Sequence, residues 1–353
     1  MEIKERLSKI FSSLDIDVAV IMNSEFIDPN FHYLTGFTSG VFESNMLLAT
    51  KNEVTLLTSD LEYATALSQK KSGMKILNVL SDKEKFEEEM SIIKGKRLGI
   101  NGKFLSYSGY QFIEKYKPKS VIDISEALTK ARMIKDNEEL RNIRKAVSIT
   151  KFAILEAQKS LKEGITELEL AARVDFAIKS FGASGNSFDT IVAFGENTAY
   201  PHHMPDSTKL TYGDLVLIDT GAKFNNYCAD ITRTIVFGEQ DKKFKEMFNL
   251  VKSAQLMAIH KLKPGADSYK IGKEVRNYID TYANGKYKGK FIHALGHGIG
   301  LEVHDHAMFG KGPSRIIKKG MTMAVEPGVY VEGLGGVRIE DDVFIDKNGS
   351  VVL

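Results

Sequence analysis

Apolar and polar positions alternate in short runs over the first third of the chain and change to longer helical spacings after residue 130. Short apolar runs bounded by polar residues predict strands over residues 17–22, 54–59, 75–80, 97–100 and 121–124. Residues 61–70 and 83–94, between these runs, have helical spacing. Strands that alternate with helices predict an α/β domain with a mixed sheet over residues 1–130.

The second domain, residues 131–353, is predicted to use one order of elements twice. Helical periodicity covers residues 137–162 and 166–182, a second helical pair spans residues 241–283, and strands follow each pair. Asp136 or Asn137 is the expected cap of the first helix, and Thr166 with Glu169 has the spacing of a capping box. The order indicates two similar halves, although the sequence shows no residue-level repeat.

Composition and charge narrow the class of protein. The 353 residues include 48 basic and 46 acidic side chains, for a formal net charge of +2, and the mixed signs without a basic block argue against nucleic-acid binding. No run approaches the roughly eighteen apolar residues that a membrane span needs. The N-terminus lacks a signal-peptide pattern, and Cys228 is the single cysteine. We therefore expect a globular protein of the reducing cytoplasm that does not bind membranes.

Six of the eight histidines fall in two short segments, "TAYPHHMPD" and "FIHALGHGIGLEVHDH". His293 and His297 have the i, i+4 spacing of a zinc-protease helix, but no Glu follows His293 and the glycines around His297 are poor helix formers. A phosphate-binding loop is disfavoured because neither a Lys-Ser/Thr pair nor a helix follows. We therefore expect extended backbone, in which glycines allow a close approach.

Two acidic residues lie on strands that a hairpin would pair. Asp219 ends the apolar run "DLVLIDTGA", and Asp230 lies in "YCADITRTIVF", where it shares a face with Thr232 and Thr234. The hairpin would bring the two carboxylates together, at a spacing that suits shared metal ligation.

Two more acids lie in the apolar strands near the end of the chain. Glu326 interrupts "MTMAVEPGVYV", and Glu340 shares a strand face with Arg338 two residues earlier. Taken singly, each of these acids is compatible with a solvated strand face or a turn. A carboxylate in an apolar strand is unfavourable unless it is paired or bound to a cation, so the acids together with His297 indicate a metal site.

The ordered set "LIDTGA…YCADITRT", "HALGHGIGLEVHD", "VEPGVYV" and "GGVRIED" resembles the pita-bread metallopeptidases, specifically the Xaa-Pro dipeptidase (prolidase) and aminopeptidase P branch. The resemblance covers residues 130–353 closely and the α/β domain more loosely. It implies an α+β pita-bread catalytic domain and a dinuclear centre, bridged by Asp230 and Glu340, whose ligands are Asp219, Asp230, His297, Glu326 and Glu340. Four carboxylates and one imidazole suit Mn²⁺, Co²⁺, Fe²⁺ or Zn²⁺, with Mn or Co favoured.

The resemblance also implies a mechanism and a class of substrate. Two divalent ions per chain, about 3.5 Å apart, would present a bridging hydroxide to an amide carbonyl. Glu326 would move the proton of the attacking water, His202 and His304 would donate hydrogen bonds to the substrate and the tetrahedral intermediate, and His293 would line the proline side of the pocket. The expected partners are peptides with proline in the second position and a second copy of the chain in a homodimer. Residues 26–37 are the candidate contact loop, with a packed turn inside the first domain as the alternative.

One departure from the family pattern affects specificity. Prolidases typically continue the last histidine as "HE-x-P-R", whereas this chain reads "HDHAM", with Met308 in place of the arginine. Arg338 is then the candidate for binding the substrate carboxylate, and Arg315 lies nearby in sequence. Aminopeptidase P-type or broader aminopeptidase activity on longer peptides therefore stays open.

Other relatives fit less well. A methionine aminopeptidase normally lacks the first domain, and the full ligand set disfavours both a creatinase-like hydrolase and a non-hydrolytic pita-bread binding protein. His203 and His306 match no role in the family, so we expect both at the surface. Cys228 is expected to be a small buried residue rather than a soft metal ligand.

Overall fold

A computed structural model describes residues 2–12, 14–239, 241–306, 309 and 316–353. The chain divides into two units, Met1–Arg132 (unit 1) and Met133–Leu353 (unit 2). None of the helices that the structure describes combines the length and apolar character of a membrane span.

Unit 1 is an α/β unit built on one mixed sheet, which confirms the predicted class. Its helices are α1 (Ile3–Phe11), α2 (Pro29–Thr35), α3 (Asp60–Ser68), α4 (Lys83–Met90), α5 (Tyr107–Glu114) and α6 (Ser125–Met133). Its strands are β1 (Val18–Met22), β2 (Met46–Ala49), β3 (Val54–Thr58), β4 (Met74–Asn78), β5 (Arg97–Ile100) and β6 (Ser120–Asp123). The strands lie in the order β4-β3-β2-β1-β5-β6, in which β2 is antiparallel to β1 and β3 and the other neighbours are parallel.

The sequence pattern missed β2, which lies inside the sheet. Its four residues are all apolar and all buried, because both faces of the strand are covered. A run this short carries no alternation from which a strand could be distinguished.

The segment proposed as a contact loop is mostly a packed helix. Asp28 accepts a hydrogen bond from the Asn30 N–H and caps α2, and Gly36 ends the helix in the left-handed conformation at φ 64°. Phe31, Tyr33 and Phe37 are fully buried, so the packed alternative holds for these aromatic side chains.

Unit 2 contains helix pairs and strands in the predicted order. Its helices are α7 (Asn137–Gln158), α8 (Glu167–Ser180), α9 (Lys242–Lys261) and α10 (Ser268–Thr281). Its strands are β7 (Gly185–Asn186), β8 (Ile191–Phe194), β9 (Leu215–Thr220), β10 (Ala222–Phe224), β11 (Tyr227–Cys228), β12 (Ile231–Val236), β13 (Thr322–Val325), β14 (Gly328–Val331), β15 (Gly335–Arg338), β16 (Asp341–Asp346) and β17 (Gly349–Val352).

Side-chain caps fix where the first two helices of unit 2 begin. The Asp136 side chain accepts hydrogen bonds from the backbone N–H groups of Glu138 and Glu139. The Glu139 carboxylate accepts a hydrogen bond from the Asp136 N–H, which completes a capping box. Thr166 and Glu169 form the same reciprocal pair at the start of α8. Both caps confirm the sequence prediction, because a capping box depends on residues only three positions apart.

The strands of unit 2 form several small sheets. β9 is central in the order β12-β9-β8, β16 is central in β13-β16-β17, and β14 pairs with β15. One face of α9, with Met247, Leu250, Val251, Ala254 and Ala258 at helical spacing, joins the main apolar core. Burial of Met247, Leu250 and Val251 contributes roughly 1.5–3 kcal/mol for each side chain.

Candidate metal centre

A cavity of about 400 Å³ in unit 2 collects every site residue that the sequence predicts. Its walls come from the ends of strands and from the two histidine-rich segments. The predicted site residues in its lining are His202, Asp219, Asp230, His293, His297, His304, Glu326, Arg338 and Glu340.

The pairing of β9 with β12 brings the first two acids into the cavity. The strands are antiparallel, with Asp219 opposite Thr232 and Thr220 opposite Ile231, so the predicted hairpin pairing is confirmed. Asp230 directly precedes β12, and its backbone N–H donates to Asp342 Oδ2 at 2.9 Å. The two carboxylates are therefore held by backbone geometry at the end of one sheet.

The remaining acids come from the strand ends of the last part of the chain. Glu326 follows β13, and Glu340 lies between β15 and β16. The Thr232 hydroxyl donates to Glu340 Oε2 at 2.6 Å, and the Glu340 N–H donates to the Thr232 carbonyl at 3.2 Å. These bonds fix Glu340 against β12, beside Asp230.

His297 reaches the acids from a non-helical segment, as predicted. A Cβ at Gly296 would overlap the Ala324 carbonyl oxygen, so glycine is needed for this close approach. His297 Nδ1 lies 3.1 Å from the Gly298 carbonyl, which fixes Nδ1 as the protonated nitrogen. Nε2 then faces the acids, 3.4 Å from Asp230 Oδ2 and 3.7 Å from Glu326 Oε1.

The buried carboxylates have oxygen atoms that no protein donor satisfies. Among the described residues, Asp219 Oδ1, Asp230 Oδ1 and Glu340 Oε1 are buried without a hydrogen-bond partner. Burial first, and then neighbouring carboxylates, raises the pKa of both Asp230 and Glu340 well above the usual range. Burial also raises the pKa of Glu326 to about 8.

These unpaired oxygens fit a cation. Ligand atoms of Asp230, His297 and Glu340 all lie within 4.8 Å of one another, and Asp219 and Glu326 line the same cavity. Buried anions require a counter-charge or a proton, and oxygen donors with one imidazole suit Mn, Co, Fe or Zn. The donor set therefore fits the divalent metal ions that the sequence predicted.

Arg338 is deeply engaged with the chain itself. Its Nη2 donates to Asp219 Oδ2 at 2.5 Å, Nη1 lies 3.0 Å from the Tyr330 hydroxyl, and Nε donates to Thr232 Oγ1 at 3.0 Å. The side chain is 3% exposed. These hydrogen bonds within the chain compete with the predicted binding of a substrate carboxylate by Arg338. That binding stays a prediction. Met308 and Arg315 lie outside the described residues.

His293 is held through both its ring and its backbone. Its Nε2 lies 2.8 Å from the Tyr330 hydroxyl and its Nδ1 2.7 Å from the Ala294 carbonyl, while Arg276 of α10 donates to the His293 carbonyl at 2.7 Å. Burial, opposed by the bond to Ala294 and reinforced by Arg338, lowers the pKa of His293 to about 4. The imidazole is therefore neutral near pH 7.

His202 and His304 are more exposed and lie at the cavity surface. The His304 ring meets the His297 ring edge to face, with centroids 4.3 Å apart. Burial, and then His202, lowers the pKa of His304. The two imidazole rings lie beside the buried acids, where their ring N–H groups are suited to donating hydrogen bonds to a bound molecule.

Two surface expectations were wrong. His306 is 7% exposed, because its carbonyl accepts a hydrogen bond from the Gly298 N–H and its Nδ1 lies 3.4 Å from the Lys135 ammonium. His203 is partly buried, with Nε2 2.6 Å from Glu167 Oε2. Cys228 is buried and contacts the Leu301 carbonyl, which confirms the expectation of a small buried residue, and burial raises its pKa to about 11.

Sequence reasoning missed the side chains that support the site. Tyr330 contacts both His293 and Arg338, and Asp342 accepts from the Asp230 backbone. Strand alternation in "VEPGVYV" could have identified Tyr330, because it lies four residues after Glu326. Asp342 carried no comparable signal, since its partner is distant in sequence.

Comparison with known proteins agrees with this geometry. The model of metallopeptidase family M24 matches residues 141–347, and the model of the creatinase/prolidase N-terminal domain matches residues 4–134. The chain belongs to metallopeptidase family M24. Within this family it is 38% identical to the Xaa-Pro dipeptidase of Pyrococcus furiosus over 98% of this chain and 97% of that protein.

Solved structures of similar proteins share the whole fold of this family M24 chain. The prolidase from Pyrococcus horikoshii matches with a TM-score of 0.88 and 34% identity, over 99% of this chain and 97% of that chain. The X-Pro aminopeptidase from Thermotoga maritima matches with a TM-score of 0.86 and 32% identity, over 99% and 96%. These likenesses confirm the α/β plus pita-bread architecture.

Proposed function

We propose that the chain is a metal-dependent peptidase that hydrolyses the bond between an N-terminal residue and proline. The observation that carries the proposal is the set of buried, unpaired oxygens on Asp219, Asp230 and Glu340 beside His297 Nε2. The full-length similarity to the Pyrococcus furiosus Xaa-Pro dipeptidase supports the choice of bond.

Two divalent ions per chain would be held by Asp219, Asp230, His297, Glu326 and Glu340, with Asp230 and Glu340 shared. When bound, such ions act as Lewis acids and activate water for attack on an amide. Support comes from the donor types and from the proximity of Asp230, His297 and Glu340. Manganese or cobalt is the preferred identity, as the resemblance implied.

The protein's own groups would handle the proton and the carbonyl oxygen. Glu326, with a pKa of about 8 before metal binding, is suited to accept a proton from water and return it to the leaving nitrogen. His202 and His304 would donate hydrogen bonds to the carbonyl oxygen as negative charge develops. His293, neutral and held by Tyr330, would line the proline side.

The test combines metal analysis with a matched set of peptides. The purified chain, loaded with Mn²⁺ or Co²⁺, is expected to cleave Xaa-Pro dipeptides or Xaa-Pro-Yaa tripeptides and to leave Xaa-Ala controls uncut. Elemental analysis should find two ions per chain. Cleavage of Xaa-Ala as fast as Xaa-Pro, or no more than one ion at saturation, would contradict the proposal.

An aminopeptidase acting on longer peptides is the second candidate. Among the described residues, Arg338 is the arginine of the cavity lining. It already donates to Asp219 and Thr232 and contacts Tyr330, which favours substrates whose carboxylate lies outside the cavity. The similarity to the Thermotoga maritima X-Pro aminopeptidase agrees with this candidate. Faster turnover of tripeptides than dipeptides would select it. The homodimer and the cytoplasmic location stay predictions from the sequence.

A further inference from the structure

Two adjacent histidines in the loop 200–206 have different surroundings. His202 lines the candidate metal cavity, whereas His203 Nε2 lies 2.6 Å from Glu167 Oε2 at the start of α8. The His203 side chain is 13% exposed and that of Glu167 is fully buried. The sequence expectation of a surface histidine therefore fails because a buried carboxylate binds its ring.

Glu167 connects several parts of this loop. Besides His203, its carboxylate accepts hydrogen bonds from the Phe194 N–H at 2.8 Å, the Asn197 amide at 3.0 Å and the Asp206 N–H at 3.1 Å. As the first residue of α8, it also lies where the helix dipole favours a negative charge. One carboxylate thus holds the residues before and after His202.

A metal ion is a poorer explanation of this cluster. Ligand atoms of Glu167, His203 and Asp206 do lie within 4.8 Å of one another. However, the Glu167 carboxylate already accepts four hydrogen bonds, so its lone pairs are occupied. The 2.6 Å separation of Nε2 and Oε2 is also shorter than the roughly 3.4 Å between two ligands of one tetrahedral zinc ion.

The loop is held from the cavity side as well. Arg338 Nη1 donates to the Pro201 carbonyl at 3.4 Å, directly before His202. No side-chain hydrogen bond orients the His202 ring within the part of the chain that the structure describes. The position of His202 therefore depends on its backbone, which Arg338 anchors on one side and the Glu167–His203 pair on the other.

We propose that Glu167 and His203 are positioning residues that hold His202 at the cavity. The inference rests on the proposed function, in which His202 donates a hydrogen bond to the substrate. Loss of His203 should leave the metal content unchanged and lower kcat/KM by about 10- to 100-fold, by analogy with the range found for groups that orient metal ligands. The loss should appear mainly in kcat if the hydrogen bond from His202 to the substrate strengthens in the transition state.

The experiment is a double-mutant cycle between the two histidines on an Xaa-Pro substrate. His203→Ala, His202→Ala and the double variant are compared, with His203→Gln as the conservative variant and His260→Ala, exposed on α9, as the matched control. We expect His203→Gln to keep more activity than His203→Ala, because the amide can still donate to Glu167. In the His202→Ala background, His203→Ala should add little further loss.

Several outcomes would overturn the inference. A full additional loss from His203→Ala in the His202→Ala background would show that His203 acts through another group. Loss of one metal equivalent in His203→Ala would make the cluster a metal site. An inactive wild type would instead refute the proposed function.

A measurement that does not depend on peptidase activity distinguishes failure of the positioning role from failure of the proposed function. Diethylpyrocarbonate modification of His202, followed by mass spectrometry, should change severalfold in rate when His203 is replaced by alanine, because the ring is no longer held. An unchanged rate would overturn the positioning role even if the wild type had no peptidase activity. Glu167→Gln serves as a second route, with the melting temperature measured to detect a folding defect.

Discussion

Two clusters in unit 2 contain the same kinds of side chain and differ in how their oxygens are satisfied. Asp230, His297 and Glu340 form the first, and Glu167, His203 and Asp206 form the second, each with ligand atoms within 4.8 Å. In the first, buried carboxylate oxygens lack partners among the described residues. In the second, the Glu167 carboxylate accepts four hydrogen bonds.

Proximity of acids and a histidine therefore does not define a metal site. A carboxylate surrounded by N–H donors is stable as an anion in its place, whereas one surrounded by other carboxylates needs a proton or a cation. The pKa values follow this division, since burial raises the pKa of Asp230 and Glu340, whereas a hydrogen bond from Thr208 lowers that of Asp206.

The largest expected effect is the loss of metal and turnover when an aspartate of the first cluster is replaced by asparagine, compared with the same replacement in the second cluster. Asp230→Asn should remove both stable metal binding and measurable turnover, because in the proposed centre this carboxylate would be shared by both ions. Asp206→Asn, the matched control, should keep two ions and most activity. Elemental analysis and peptide turnover check both variants. Retention of two ions by Asp230→Asn, or loss of an ion by Asp206→Asn, would reverse the comparison.

Replacement of Arg338 tests whether its guanidinium mainly supports Asp219 beside the first cluster or binds substrate. Arg338→Ala leaves the Asp219 carboxylate without its guanidinium partner, and breaking a buried pair in this way destabilises a fold by roughly 3–5 kcal/mol. We expect similar losses of kcat/KM on dipeptides and tripeptides, because the Arg338 nitrogens already form hydrogen bonds with side chains of the protein. Urea unfolding and kinetics on both substrates provide the measurement. A loss confined to dipeptides would support the substrate-carboxylate role predicted from the sequence.

His304 tests whether a histidine beside the first cluster belongs to the ligand set. His304→Ala should keep both ions and lose roughly 10²-fold in kcat/KM, the scale of one donor to a developing oxyanion. Metal analysis and kinetics are measured beside the exposed-site control His260→Ala. A missing ion in His304→Ala would place His304 among the ligands.

The smallest effect is a pH dependence of the metal-free protein. Burial raises the pKa of Glu326 from 4.5 to about 8, so between these values the folded chain keeps a proton that the unfolded chain releases. The contribution of Glu326 to the stability of the metal-free protein should therefore be lost as pH rises from 4.5 to 8, and stabilisation by added Mn²⁺ should grow. The second cluster contributes no such slope through Asp206, whose pKa is lowered.

Melting temperatures at both ends of this pH range, with and without Mn²⁺, measure the effect. Glu326→Gln is the control, since an amide cannot titrate, and the difference between its pH profile and that of the wild type gives the contribution of Glu326. The same pH profile in Glu326→Gln as in the wild type would contradict the raised pKa of Glu326.

Much of the architecture could be predicted because its signals are local. The capping boxes at Asp136 and Thr166 involve residues three positions apart, and the helix pairs show their periodicity over many turns. β2 was missed because four consecutive buried apolar residues look alike in a strand or a helix. The segment around His297 was predicted as extended because its glycines disfavour a helix.

The amino-acid sequence specifies which chemical groups are available and in what order they follow along the chain. Which of these groups are paired follows from the folded structure, because the partners are distant in sequence. Thr232 binds Glu340 across 108 positions and Arg338 binds Asp219 across 119, whereas Glu167 reaches His203 across 36. A hydrogen bond depends on separation in space, so no periodicity could tell that His203 has an acceptor while the oxygens beside His297 lack donors.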